Sequence, residues 1–85
     1  MVKEQKIGKI FSYYSKINVA AINLEGDLVI GDTIHIKGGT TDFKQKIRSM
    51  QIDHEEVEKA NAGQSIGLKV KDRVRPNDDV FKVVE

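Results

Sequence analysis

Cysteine and tryptophan are absent from the 85-residue chain, proline occurs once, and aromatic residues make up 6% of it. Without cysteine there is no disulfide, no thiolate zinc site and no thiol nucleophile. Stability must come from an apolar core in a chain near the lower size at which a domain holds together without staples. No apolar run approaches ~20 residues, so no segment reads as a bilayer-spanning helix. Met1 to Lys6 is polar and basic with no apolar stretch behind it. That is not a secretory signal, and the expected location is the cytoplasm. Neither sign of charge dominates: 14 basic groups stand against 13 acidic ones, a formal net charge of +1. No strong global field therefore favours nucleic acid or a membrane. With 39% hydrophobic and 32% charged residues, residues 1–85 read as one small soluble domain and not as a disordered tail.

What is present is a regular alternation of turn signals and β-rich runs. Gly26-Asp27, Gly31-Asp32, Gly38-Gly39, Ala62-Gly63 and Pro76-Asn77-Asp78 punctuate the chain. Between them lie Ile7 to Tyr14, Ile17 to Leu24, Thr33 to Lys37, Ile66 to Lys71 and Val80 to Val84. Many short strands at this spacing predict an all-β antiparallel sandwich or small barrel. In the second run Ile17, Val19 and Ala21 share one face. The expected core is Ile7, Ile10, Val19, Ala21, Leu28, Ile34, Ile36, Ile47, Ile66, Leu68, Val70 and Val80. Between Asp42 and Ile52 the apolar parity changes after Ile47. Either a β-bulge near Arg48-Ser49 or a break between two short strands would do that. Asp53 to Ala62 has a capping-box pattern, Asp53 with Glu56, and predicts a loop with one or two helical turns at most.

Chemistry is sparsely signalled. The Gly-x4-Gly-Lys-Ser/Thr and Gly-x-Gly-x-x-Gly phosphate loops are both missing, so neither a nucleotide nor another cofactor is expected. The two histidines, His35 and His54, do not make a metal site: His54 and Glu58 would share a helix face, but two ligands are too few. His35 alternates with Ile34 and Ile36 and faces outward. No serine sits in a nucleophile elbow, and Glu55, Glu56 and Glu58 fall in a polar segment where water keeps carboxylates ordinary acids. The expectation is no enzyme activity. Two basic stripes stand out: Lys44, Lys46 and Arg48 on one strand face, and Lys69, Lys71, Arg73 and Arg75 near the end of another. Charged outer faces also suit any half-buried strand and discourage edge pairing. The functional alternative is a surface that follows phosphates. Of the aromatic groups that could stack on bases, only Tyr13 and Tyr14 qualify, and alternation sends at least one of them to the core.

The order of these landmarks resembles the second domain of translational GTPases such as elongation factor Tu. The matching stretches are Ile7-Gly8-Lys9-Ile10, then Leu28-Val29-Ile30-Gly31-Asp32-Thr33-Ile34, Ile47 to Ile52, His54 through Ala62-Gly63, Ser65-Ile66-Gly67-Leu68, and Val80 to Val83. The likeness is closer to small stand-alone translation elongation factor-like proteins and to a barrel at the C-terminus of some collagenase-type peptidases. Thr40-Thr41-Asp42-Phe43 and Ser49-Met50-Gln51 look characteristic of that subgroup. The resemblance implies a closed antiparallel barrel of about six or more strands that contacts RNA or the ribosome. It also puts Gln51 and His54 where the factor touches the acceptor end of tRNA, with glutamine in place of the factor's glutamate. GTP hydrolysis does not carry over, because no nucleotide domain is attached. Two partners therefore stand as alternatives: RNA or the ribosome through the basic stripes, or a protein, as for the barrel on the peptidases.

Overall fold

Ten strands and, among the described residues, no helix build the chain from residue 3 to residue 84, the span that the computed structural model describes. They are β1 (Lys3–Tyr14), β2 (Val19–Leu24), β3 (Leu28–Val29), β4 (Thr33–Lys37), β5 (Asp42–Lys46), β6 (Met50–Ile52), β7 (Glu55–Val57), β8 (Lys59–Ala60), β9 (Ser65–Lys69) and β10 (Asp79–Val84). Eight of them form one antiparallel sheet in the order β5-β4-β10-β1-β2-β9-β6-β7, and β3 pairs with β8 in a second ladder. The sheet curls round a single core that includes Ile7, Ile22, Leu28, Ile36, Met50, Leu68 and Val80.

All-β, antiparallel and barrel-like is thus what the turn spacing predicts, but a closed barrel is not what forms. No ladder joins β5 to β7, the two ends of the sheet, among the described residues. The chain crosses the seam itself: β5 ends at Lys46, Ile47 to Ser49 belong to no strand, and β6 starts at Met50 on the far side. The parity switch after Ile47 is therefore a break between two strands and not a bulge. One side chain spans the same seam. The Gln45 amide donates to the Lys69 carbonyl and its oxygen accepts from the Lys71 N–H, both at 2.9 Å.

Two further expectations give way. Asp53 to Ala62 is not a helical loop; it holds β7 and β8. Ile52 pairs with Glu55, and Asp53 (φ 52°) and His54 (φ 66°) both take left-handed backbone. Two consecutive positive φ values are what a two-residue type I′ hairpin demands, and they cannot begin a right-handed helix. In β2 the inward face is Ala20, Ile22 and Leu24; Ala21 is buried as expected, but Val19 is only half-buried and Ile17, ahead of the strand, is 60% exposed. Asn23 decides the face. It shares parity with Ile17, Val19 and Ala21, and burying that face would bury its amide. Outside, its oxygen accepts a hydrogen bond from the Ser65 hydroxyl at 2.7 Å.

Candidate functional site

The outer surface offers an apolar groove and a basic one. The apolar groove follows from two local features. First, the β1–β2 register shifts between Ile10 and Ser12, so Phe11 is an extra residue and bulges onto the outer face. Second, the inward choice of Ile22 and Leu24 leaves the other parity of β2 outside. Phe11 (46% exposed), Tyr14 (53%) and Ile17 (60%) therefore stand together in solvent. With Val19 they line an open groove of about 520 Å³, and the β6–β7 hairpin brings Gln51 of β6 and His54 of the turn to its rim. Tyr13, by contrast, packs against the core, as alternation requires. The sequence expectation turns only the parity of Val19 and Ala21 inward, although Ala20, Ile22 and Leu24 make the other parity of 17–24 apolar too. That double parity is the signal for an outer apolar surface.

The basic groove, about 460 Å³, opens along the seam. It joins Lys46 and Arg48 of one stripe to Lys69 and Lys71 of the other. The remaining members of the stripes do not join it. Lys44 lies 3.8 Å from Glu4. Arg73 and Arg75 line a separate hollow with Tyr13 and Pro76. No carboxylate among the described residues lies within 4 Å of Lys46, Arg48, Lys69 or Lys71. The Lys71 ammonium sits over the Phe43 ring, 5.9 Å from its centroid, and no aromatic side chain lines the groove.

The arrangement most like catalytic machinery is Glu4–His35–Asp42 on the outer face of β4. Glu4 approaches Nδ1 at 2.8 Å and Asp42 holds Nε2. The pairing with Asp42 does most to raise the imidazole pKa above its ordinary 6.5; burial opposes it and Glu4 adds to it. The same contact lowers the pKa of Asp42. A carboxylate on each nitrogen favours the imidazolium form, in which both nitrogens donate. In that form the ring has no lone pair with which to take a proton. The carboxylates lie on opposite nitrogens and do not converge on one ion, and no three ligands among the described residues converge elsewhere. His35 does face outward, but as the centre of a three-residue ion cluster.

The features that suggest a translation factor are turn chemistry. Asp32 N–H donates to the Val29 carbonyl at 3.1 Å with Gly31 at φ 98°. Gln64 N–H donates to the Asn61 carbonyl at 3.2 Å with Gly63 at φ 91°. Glycine at the third position with positive φ is the type II pattern. Both motifs report how the strands are connected and carry no information about a ligand.

No protein-family model matches the chain. It is 43% identical over 81 residues to an uncharacterised protease of Methanocaldococcus jannaschii, covering 94% of this chain and 20% of that protein. It is 41% identical over 78 residues to a collagenase of Porphyromonas gingivalis, covering 89% of this chain and 22% of the collagenase. Among solved structures, the C-terminal domain of a U32-type peptidase of Geobacillus thermoleovorans superposes with a TM-score of 0.86 at 21% identity, over 92% of this chain and 91% of that one. Its selenomethionine variant gives 0.85 at 20%, over 89% of this chain and 96% of that one. These relatives are proteases and peptidase domains, which overturns the translational, protein-biosynthesis and RNA-binding reading. The likeness to the barrel on collagenase-type peptidases is the one supported. The chain spans about a fifth of the curated relatives it matches, and its fold is that of a U32 peptidase C-terminal domain.

Proposed function

We propose that this chain is a non-catalytic accessory domain that contacts protein in the service of a U32-type peptidase. The observation that carries the reading is the likeness, over nearly the whole chain, to a segment that makes up about a fifth of longer proteases. A segment of that size added to an enzyme adds surface, and the surface here is two open grooves without convergent catalytic groups. The test uses the Porphyromonas gingivalis collagenase. Deleting its matching segment should leave cleavage of a short peptide intact and lower turnover of a folded protein substrate. Grafting this chain in its place should restore that turnover. Hydrolysis by this chain alone, or protein turnover unchanged by the deletion, overturns the proposal.

A further inference from the structure

We infer that the basic seam groove binds an extended, carboxylate-bearing protein segment, which adds as a strand along the open edge of β5. The inference rests on the accessory reading above and names the chemistry of the partner.

The edge is the first support. Ile47 N–H donates to the Asp32 carbonyl at 2.8 Å, and Gly38 N–H to the Thr41 carbonyl at 2.7 Å. In an antiparallel ladder the backbone groups of alternate residues turn to opposite sides. Thr41, Phe43, Gln45 and Ile47 therefore face β4. The N–H and C=O of Lys44 and Lys46 point to the edge, where no strand pairs with them among the described residues. Unpaired edge groups of this kind accept an extended peptide. Gln45 shows that the facing segment has the same capacity, since its side-chain amide makes with Lys69 and Lys71 the bonds a peptide amide would make.

Charge is the second support. Lys46, Lys69 and Lys71 line the groove, and none has a carboxylate within 4 Å among the described residues. Arg48, at one end, also borders the hollow that holds Glu56 and Glu58. A segment with acidic side chains on alternate residues would place them over these ammonium groups while its backbone follows the edge. A nucleic acid would find charge here but no open ring face on which to stack.

The experiment measures binding of this chain to a labelled eight-residue peptide of alternating glutamate and valine, at low and physiological salt. The controls are the same peptide with glutamine for glutamate and a single-stranded oligonucleotide of equal charge. The acidic peptide should bind at least about tenfold more tightly than its neutral counterpart, with affinity falling as salt rises. The triple variant Lys46→Gln, Lys69→Gln, Lys71→Gln should lose at least about tenfold. Lys44→Gln, which touches Glu4, should change binding less than about twofold. On binding, the amide protons of Lys44 and Lys46 should gain exchange protection. Equal affinity for the neutral peptide, tighter binding of the oligonucleotide, an unaffected triple variant or no protection at those amides each overturns the inference. Failure here with a positive collagenase deletion would sink the groove and leave the accessory role standing.

Discussion

His35 carries the strongest electrostatic feature of the surface, and its consequence is a dependence of stability on pH. Its pKa is raised above 6.5 in the fold, first by Asp42 and then, against opposing burial, by Glu4. A group whose folded pKa lies above the unfolded one contributes stability that is complete below the unfolded value and is lost as pH rises through the folded value. Asp42 runs the other way. Its pKa is lowered from 3.8, so its contribution is complete above that value and fades as acid reaches the lowered one. The cluster is therefore at full strength between the ordinary aspartate and histidine values and weakens on either side. Urea midpoints measured from pH 5 to 9 should fall on the alkaline side of 6.5, and His35→Gln should flatten that decline. An NMR titration giving His35 a pKa at or below 6.5 would falsify the account. Gly38 is a second residue with a definite outcome. A Cβ there would lie 1.9 Å from Oδ1 of Asp78, a buried carboxylate whose Oδ2 accepts from Arg75 N–H at 2.9 Å. Gly38→Ala must push that carboxylate aside and break the turn that leads into β10. It should cost about 1–3 kcal/mol in urea denaturation, and a midpoint within error of the parent would show that the carboxylate has room to move.

At the scale of elements, the β6–β7 hairpin holds the least expected backbone. A type I′ turn is normally met by Asn-Gly or Asp-Gly, and here Asp53 is followed by His54 at φ 66°. Left-handed backbone costs a non-glycine residue roughly 1–2 kcal/mol. Glycine removes that strain but adds freedom to the unfolded chain. His54→Gly should therefore raise stability by about 0.5–1 kcal/mol, read as a melting temperature higher by roughly 2–8 °C for a domain of this size. No rise, or a fall, would mean that the imidazole at the groove rim contributes more than the strain removes. Strand β9 shows the opposite situation, an element fully specified by pattern. Leu68 faces Ala20 of β2 and Met50 of β6 and is 1% exposed. Leu68→Ala should cost ~2–5 kcal/mol, and a smaller loss would mean that β2 and β6 close over the gap. The two elements also show what could be read in advance. Strands such as β4 and β9 alternate cleanly because one face is core and the other water. The hairpin had no such signal: a capping-box pattern and a type I′ turn both begin with aspartate, and only the pairing of Ile52 with Glu55 separates them.

The whole molecule is an open sheet that behaves as if nearly closed, and this governs how much of the surface could be foreseen. That Lys44 and Lys46 share a face of β5 follows from strand alternation alone, whereas Arg48 lies beyond the end of that strand. Whether they meet Lys69 and Lys71 depends on which strands become neighbours across the seam, a long-range property that local pattern does not contain. The apolar groove was hidden for a related reason: Phe11 reaches the outer face through a register shift against β2. Gln45 is where these long-range relations converge on one side chain. It reaches across the seam to the chain that leaves β9, donating to Lys69 O and accepting from Lys71 N at 2.9 Å each. Gln45→Ala removes both bonds at an exposed position, where water replaces the lost partners, so the loss should be about 1–2 kcal/mol for the pair. Gln45→Glu keeps the acceptor for Lys71 N–H, loses the donor to Lys69 O, and gains attraction from the lysines of the groove; its loss should be smaller. Unfolding of both variants should remain a single cooperative transition, because β4, β9 and β10 contribute to one shared core. The local effect should appear in hydrogen exchange, with the Lys71 amide exchanging faster in Gln45→Ala than in the parent while the Leu68 amide keeps its protection. Unchanged exchange at Lys71 would mean that Gln45 does not hold the seam. A separate early transition would mean that the sheet on either side of the seam folds as independent halves.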